Sequence, residues 1–192
     1  MAAAWDALLE TLQELLPTED WDPVSRAGLV AWLIFYALFI LYAVTDDDGF
    51  LLIDNVNLIV HEAGHLLFGW FGDTLDLYGG TLFQFLVPLA LAVYFWHERK
   101  TTAVAFIVFM VFENCLYTSV YIADARAQVL PLVTVGDPEG GGHDWFQILG
   151  RWGLLRYDTT LGGLVRWVGW LGMLGTPGWL LYRHRQLTER TP

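Results

Sequence analysis

The chain is poor in charge: only 16% of its 192 residues are Asp, Glu, Lys or Arg, against about a quarter in a soluble domain of this length. It is also poor in cysteine. Cys115 stands alone, so no internal disulfide can form and the redox compartment stays open. Basic residues are scarce as well, and the net charge of −11 argues against nucleic acid as a partner. The opening MAAAWDALLETLQELLP has no basic start, so it does not read as a cleaved signal peptide.

What the chain has instead is apolar sequence in blocks. It is 55% hydrophobic with a mean hydropathy of +0.43. Ala27–Val44 and Leu77–Trp96 are uncharged throughout, Thr101–Ala123 is broken only by Glu113, and Trp167–Tyr182 lies between Arg166 and Arg183. About 20 apolar residues cross the hydrocarbon core as a helix, and a terminal Arg can snorkel to the surface. The expected fold is therefore all-α, a multi-pass transmembrane bundle forming one integral membrane domain. Hydrophobic helices are expected at 26–44, 50–72, 77–97, 101–123 and 163–182, with 124–160 outside the membrane. Residues 1–25 form an acidic tail in which Trp5, Leu8, Leu9, Leu12, Leu15 and Leu16 mark one face of a short amphipathic helix. Its polar face carries Asp6, Glu10 and Glu14, which suits docking on protein better than on lipid headgroups.

The compact basic clusters, HERK at 97–100 and RHRQLTER near the C-terminus, belong on the cytoplasmic side. That leaves 124–160 outside. The segment 50–72 is then either a full span, giving five crossings, or a re-entrant helix entered from the outer face, giving four.

That segment carries the chemistry. NLIVHEAGHLLFGW holds H-E-x-x-H inside an apolar run. On an ideal helix, with Asp54 at zero, Asn57 falls near about −60°, His61 near −20°, His65 near +20° and Glu62 about 80° round. One polar stripe on an otherwise greasy helix predicts a buried site, because ionisable groups in lipid face a bundle interior or a water-filled cavity. Histidines at i and i+4 aim two imidazoles at one ion, and a glutamate beside the first can serve as a general base. The metal ligands expected are thus His61 and His65, with Glu62 catalytic and zinc as cofactor.

A third ligand is needed. His143 comes first, because three glycines before it let the outer loop fold back; Asp124, at the outer end of the fourth apolar run, is the alternative. Glu113 and Asp144 follow. Each has a plain reading too: a hydrogen-bonded buried acid for Glu113, a pair with Arg126 for Asp124, a solvated loop histidine for His143. Asp54, Asn57, Glu113, Asn114 and Asp144 are candidates for the surrounding shell. Gly79, Gly80 and Gln84 could form a binding edge for substrate, although ordinary helix packing is the preferred account. Pro88 frees a backbone carbonyl and can kink its helix, and Gly169, Gly172 and Gly175 permit close helix contact.

HEAGH in an apolar helix of a small multi-pass protein resembles the site-2 protease group of intramembrane zinc metalloproteases, over 57–72 well and over GGTLFQFLVP at 79–88 loosely. The resemblance implies zinc on His61 and His65, Glu62 as general base, and a membrane-embedded polypeptide as substrate. The L-D-G motif that supplies that group's third ligand does not occur in a later span here. YIADARAQVLPL and GDPEGGGHDW are similar to segments of small uncharacterised bacterial HEAGH proteins, a similarity that implies Asp124 and His143 as site residues but no activity; the expected location is a bacterial cytoplasmic membrane. The expected function is a zinc metallopeptidase (a hydrolase) acting on a membrane-associated polypeptide. The alternative is a non-catalytic accessory subunit of a larger membrane complex, with a structural or vestigial metal site; hydrolysis of a lipid or small amide would use the same residues.

Overall fold

A computed structural model describes residues 21–46, 49–131 and 142–189. The amphipathic helix expected within 1–25 falls almost wholly outside them. All regular structure among the described residues is helical: α1 (Arg26–Thr45), α2 (Asp54–Phe68), α3 (Asp73–His97), α4 (Thr101–Ala123), α5 (Asp144–Arg151) and α6 (Asp158–Glu189), with 3-10 turns at Gly69–Phe71 and Leu155–Tyr157. Helices α1, α3 and α4 are long and apolar enough to cross a membrane, which marks a membrane protein.

Helix α1 starts where Ser25 Oγ accepts the Gly28 N–H at 3.0 Å. It buries only Leu29, Tyr36 and Ala43, a seven-residue repeat that leaves one narrow stripe on the bundle. Val30, Ile34, Leu38 and Leu41 on the other faces are exposed, as lipid-facing side chains would be. Tyr36 packs on Phe109 of α4 with ring centroids 4.7 Å apart.

Two glycine contacts hold the rest together. Lipid is as apolar as leucine, so helices in it associate through close packing rather than through the hydrophobic effect. At the α4–α6 seam a Cβ on Gly162 would meet Ser119 O at 2.6 Å, and one on Gly169 would meet Phe112 O at 2.8 Å. Gly172 lies against the Phe112 ring, whereas Gly175 has nothing near it, so two of the three spaced glycines make the expected contact. At the α2–α3 seam, Gly64 and Gly79 face each other so closely that a Cβ on either would strike the other's carbonyl oxygen. Gly79-Gly80 lies inside α3, where the missing side chains let two backbones meet without ending the helix.

The ends of the helices sort into two groups. At one end, the Asp22 N–H donates to Arg99 O at 3.0 Å, the Thr101 hydroxyl donates to Asp22 O at 2.7 Å, and His184 Nδ1 donates to Val24 O at 2.8 Å. The start of α1, the α3–α4 turn and the last turns of α6 therefore meet there. At the other end Arg126, just after α4, grips Asp158 at the start of α6, with bonds of 2.8 and 2.6 Å; these hold the Asp158 carboxyl below its ordinary range. Arg126 thus serves Asp158 rather than Asp124. The end of α1 is also here, for Tyr42 Oη accepts from the Leu52 N–H at 3.0 Å.

Helix α2 is shorter than the 50–72 segment read from sequence. Its 15 residues extend about 22 Å, less than the roughly 30 Å of hydrocarbon. The first residue, Asp54, connects through Asn57 to Glu113 near the middle of α4, while His61 lies by Tyr121 close to α4's end. The chain dips to mid-bundle and climbs back. The stretch 124–160 also contains a helix that the sequence reading left out: α5, with Ile148 and Leu149 buried and Phe146 exposed.

Replacing Gly64 by Leu forces α2 off α3. The expected loss is about 5–10 °C in the melting temperature in detergent, measured by tryptophan fluorescence, with a far smaller change for Gly175→Leu.

Candidate metal centre

His61 is 4% exposed on α2, and His65 follows one turn later. Their Nε2 atoms are 3.1 Å apart, and Asp144 Oδ2 lies 3.0 Å from the first and 3.1 Å from the second. Three potential ligand atoms of three residues thus converge. Ligands of a tetrahedral zinc at about 2.0–2.1 Å lie roughly 3.3–3.4 Å from one another, so the spacing is close to that of one coordination sphere.

The hydrogen bonds behind the rings decide which atoms face inward. Pro88 has no N–H, so the Gln84 carbonyl one turn earlier lacks its helical donor. Asn114 Nδ2 fills that vacancy at 2.8 Å, which fixes the amide of Asn114 with its oxygen toward α3. That oxygen accepts from Gln84 Nε2 at 3.1 Å, and Thr118 Oγ1 accepts from the same nitrogen at 2.6 Å while giving its own proton to Asn114 O. Gln84 Oε1 is left pointing at His61 Nδ1, 2.6 Å away. An amide oxygen can only accept, so Nδ1 carries the ring proton and Nε2 of the neutral ring is a bare lone pair. His65 is set the same way: Nδ1 donates to the Asp76 carbonyl at 2.9 Å.

Asp144 completes the set as an anion. Tyr121 fixes the same residue, accepting from the Asp144 N–H at 3.1 Å and donating to Oδ2 at 3.3 Å. Two inward lone pairs and a carboxylate oxygen repel one another unless positive charge lies among them, as protons or as a metal ion. Two imidazoles and a carboxylate suit a borderline metal such as zinc. Gly80 of α3 supplies the floor: a Cβ there would run into both Nε2 atoms.

The residues named from sequence fall into three places. His61 and His65 converge as expected, and Glu62 lines a cavity of about 610 Å³ together with His61, Tyr117 and Tyr121. His143, expected as third ligand, does not reach the imidazoles. As the cap of α5 its Nδ1 accepts from the Phe146 N–H at 3.3 Å, and its Nε2 faces Asp124 Oδ2 at 3.4 Å. Burial pushes the His143 ring below its ordinary range. Asp124, the alternative ligand, is likewise committed elsewhere: it accepts from the Val129 and Leu130 N–H groups at 3.0 and 3.1 Å. The physical reason for the correction is the cap itself. Once His143 closes the first turn of α5, the next side chain, Asp144, is the one that points back at α2.

Asp54, Asn57 and Glu113 form a separate cluster deeper in the bundle, with Asn57 Nδ2 donating to Asp54 at 2.9 Å and to Glu113 at 3.0 Å. Asn114 belongs to the shell behind Gln84. Gln84 itself was read as part of a binding edge or of plain packing, and its bond to His61 was missed. The signal was Pro88 four residues after a glutamine in an apolar helix. Comparison with known protein families, with curated proteins and with solved structures finds no match.

Gln84→Leu removes the acceptor that fixes the His61 ring. The expected result is zinc affinity lower by about 10–100-fold, read by chelator competition, with the far-ultraviolet circular dichroism unchanged.

Proposed function

We propose that the chain is a membrane-embedded zinc metallopeptidase, with His61, His65 and Asp144 as ligands and Glu62 as general base, acting on a membrane-associated polypeptide. The observation that carries this reading is the meeting of three lone-pair donors, one of which, His61, shares a cavity wall with Glu62. Three protein ligands leave one position of a tetrahedron open, as catalytic rather than structural sites do. Zinc held there would supply Lewis acidity and a water acidified to a pKa of about 7.

The chain's own residues do the remainder. Glu62 follows His61 directly and borders the same cavity, so its carboxylate takes a proton from the attacking water and hands it to the departing amine nitrogen. Gln84 and the Asp76 carbonyl keep both rings in the tautomer that binds metal. Tyr121 holds Asp144 at its backbone and carboxylate together. Two imidazoles and one carboxylate are also a ligand set for iron(II); the H-E-x-x-H order with Glu62 on the cavity favours hydrolysis.

The membrane arrangement we infer has four crossings, by α1, α3, α4 and α6, with α2 re-entrant. Support comes from the length of α2 and from the end of α1 and the chain entering α2 lying on one side. Arg99, Lys100 and Arg183 gather at the opposite end, which is cytoplasmic by the distribution of basic residues. The metal centre then lies near the outer face, about one turn below the end of α4.

Purified protein in detergent is expected to hold one zinc per chain. Asp144→Ala is expected to lose it, while His143→Ala retains most of it. Glu62→Ala keeps the metal but lowers hydrolysis of a quenched peptide library in mixed micelles by about 10²–10⁴-fold. Full zinc in Asp144→Ala, or unchanged cleavage by Glu62→Ala, would overturn the assignment.

A further inference from the structure

The cavity beside Glu62 has a shape and lining that the peptidase reading alone does not use. We propose, resting on that reading, that it is the specificity pocket for one large uncharged side chain, aliphatic or aromatic, of the substrate residue adjoining the scissile bond. Phe50, Leu58 and Val120 set that preference.

Its volume of about 610 Å³ falls within the roughly 300–1,000 Å³ of small-ligand sites. Because His61 and Glu62 are part of its wall, a peptide carbonyl poised for attack brings the neighbouring side chain into this space. Phe50, Leu58, Val120, Leu130 and Pro131 give it an apolar surface, and Phe50 is braced against Tyr117 with ring centroids 5.9 Å apart. No lysine or arginine lines it among the described residues. An acidic side chain would therefore meet the Glu62 carboxylate with no lysine or arginine of the wall beside it. A basic one would trade hydration for hydrocarbon and would neutralise the base that the reaction needs.

The same wall speaks against an acyl chain. Five of the eleven lining residues are polar: Asn55, His61, Glu62, Tyr117 and Tyr121. A hydrocarbon tail would take Asn55, Glu62 and the Tyr117 hydroxyl out of water without adding a hydrogen bond to any of them, which costs desolvation free energy. A peptide brings its own N–H and C=O groups to them while its side chain fills the apolar part.

Hydroxamates test this with no knowledge of the natural substrate, since they need only the metal and the cavity. Zinc-loaded full-length protein in detergent is titrated with acetohydroxamate, with N-acetyl-leucine, N-acetyl-phenylalanine and N-acetyl-aspartate hydroxamates, and with a series of straight-chain alkyl hydroxamates. The leucine and phenylalanine compounds are expected to bind about 10–100-fold more tightly than acetohydroxamate, and the aspartate compound no more tightly. Val120→Trp, which fills the cavity from α4, is expected to abolish that gain while zinc content and acetohydroxamate affinity stay. Leu58→Trp repeats the test from the α2 wall. Equal affinity for every side chain overturns the proposal. So does affinity that climbs steadily with alkyl length, which would assign the cavity to an acyl chain. Protein without zinc, or zinc-loaded protein that binds no hydroxamate, removes the peptidase reading and the pocket with it, an outcome distinct from the other two.

Discussion

Two neutral imidazoles and a carboxylate cannot stay about 3 Å apart with their lone pairs turned inward unless something positive lies between them. The fold around His61, His65 and Asp144 is arranged to maintain that condition. Gln84 and Asp76 each present an acceptor to the outer nitrogen of a ring, which sends the proton outward and the lone pair inward. Those acceptors are themselves fixed. The amide of Gln84 is held by Asn114 and Thr118, and Asn114 is held by the carbonyl that Pro88 leaves free. A proline in α3 thereby determines, through two amides, which nitrogen of a histidine in α2 faces the centre. Few polar groups lie in this part of the bundle, and those present are spent on orientation. That economy is expected where lipid offers no alternative partners.

Packing makes the chain of bonds possible. Gly64 and Gly79 let α2 approach α3 until backbones touch, and Gly80 leaves room for two rings where any side chain would displace them. The α4–α6 seam uses small residues in the same way and holds the far wall of the bundle rigid. Distances of 2.6–3.1 Å along a three-helix relay require such fixed backbones. A shift of one ångström between α3 and α4 would break the Gln84 bonds.

The sequence showed the helical membrane architecture and the two histidines clearly, because both are written in short-range pattern. Apolar runs give the spanning helices, and the i, i+4 spacing gives the converging rings. It was weaker wherever the outcome depended on how one segment docks on another. His143 and Asp144 are adjacent and both can bind metal. Choosing between them needs the first turn of α5, where one becomes the cap and the other the inward-facing group. The apolar pattern in DWFQILGR was sufficient to suggest that helix, but the glycines before it favoured reading a loop. Gln84 reads from sequence only as part of a binding edge or of ordinary packing, because its partner is 23 residues away and belongs to a different helix. Helical projection puts Asp54 on the stripe of the histidines, and Glu113 stands among the ligand and shell candidates, but a projection records direction around an axis and not depth along it. In the structure they lie lower, joined through Asn57.

Asp144 is separated from His65 by 79 positions, and α3 and α4 both lie between. During synthesis the two histidines enter the membrane long before their carboxylate partner has been made. A half-finished chain therefore carries two of the three converging side chains, and the cluster closes only once α3, α4 and the segment up to α5 have been made.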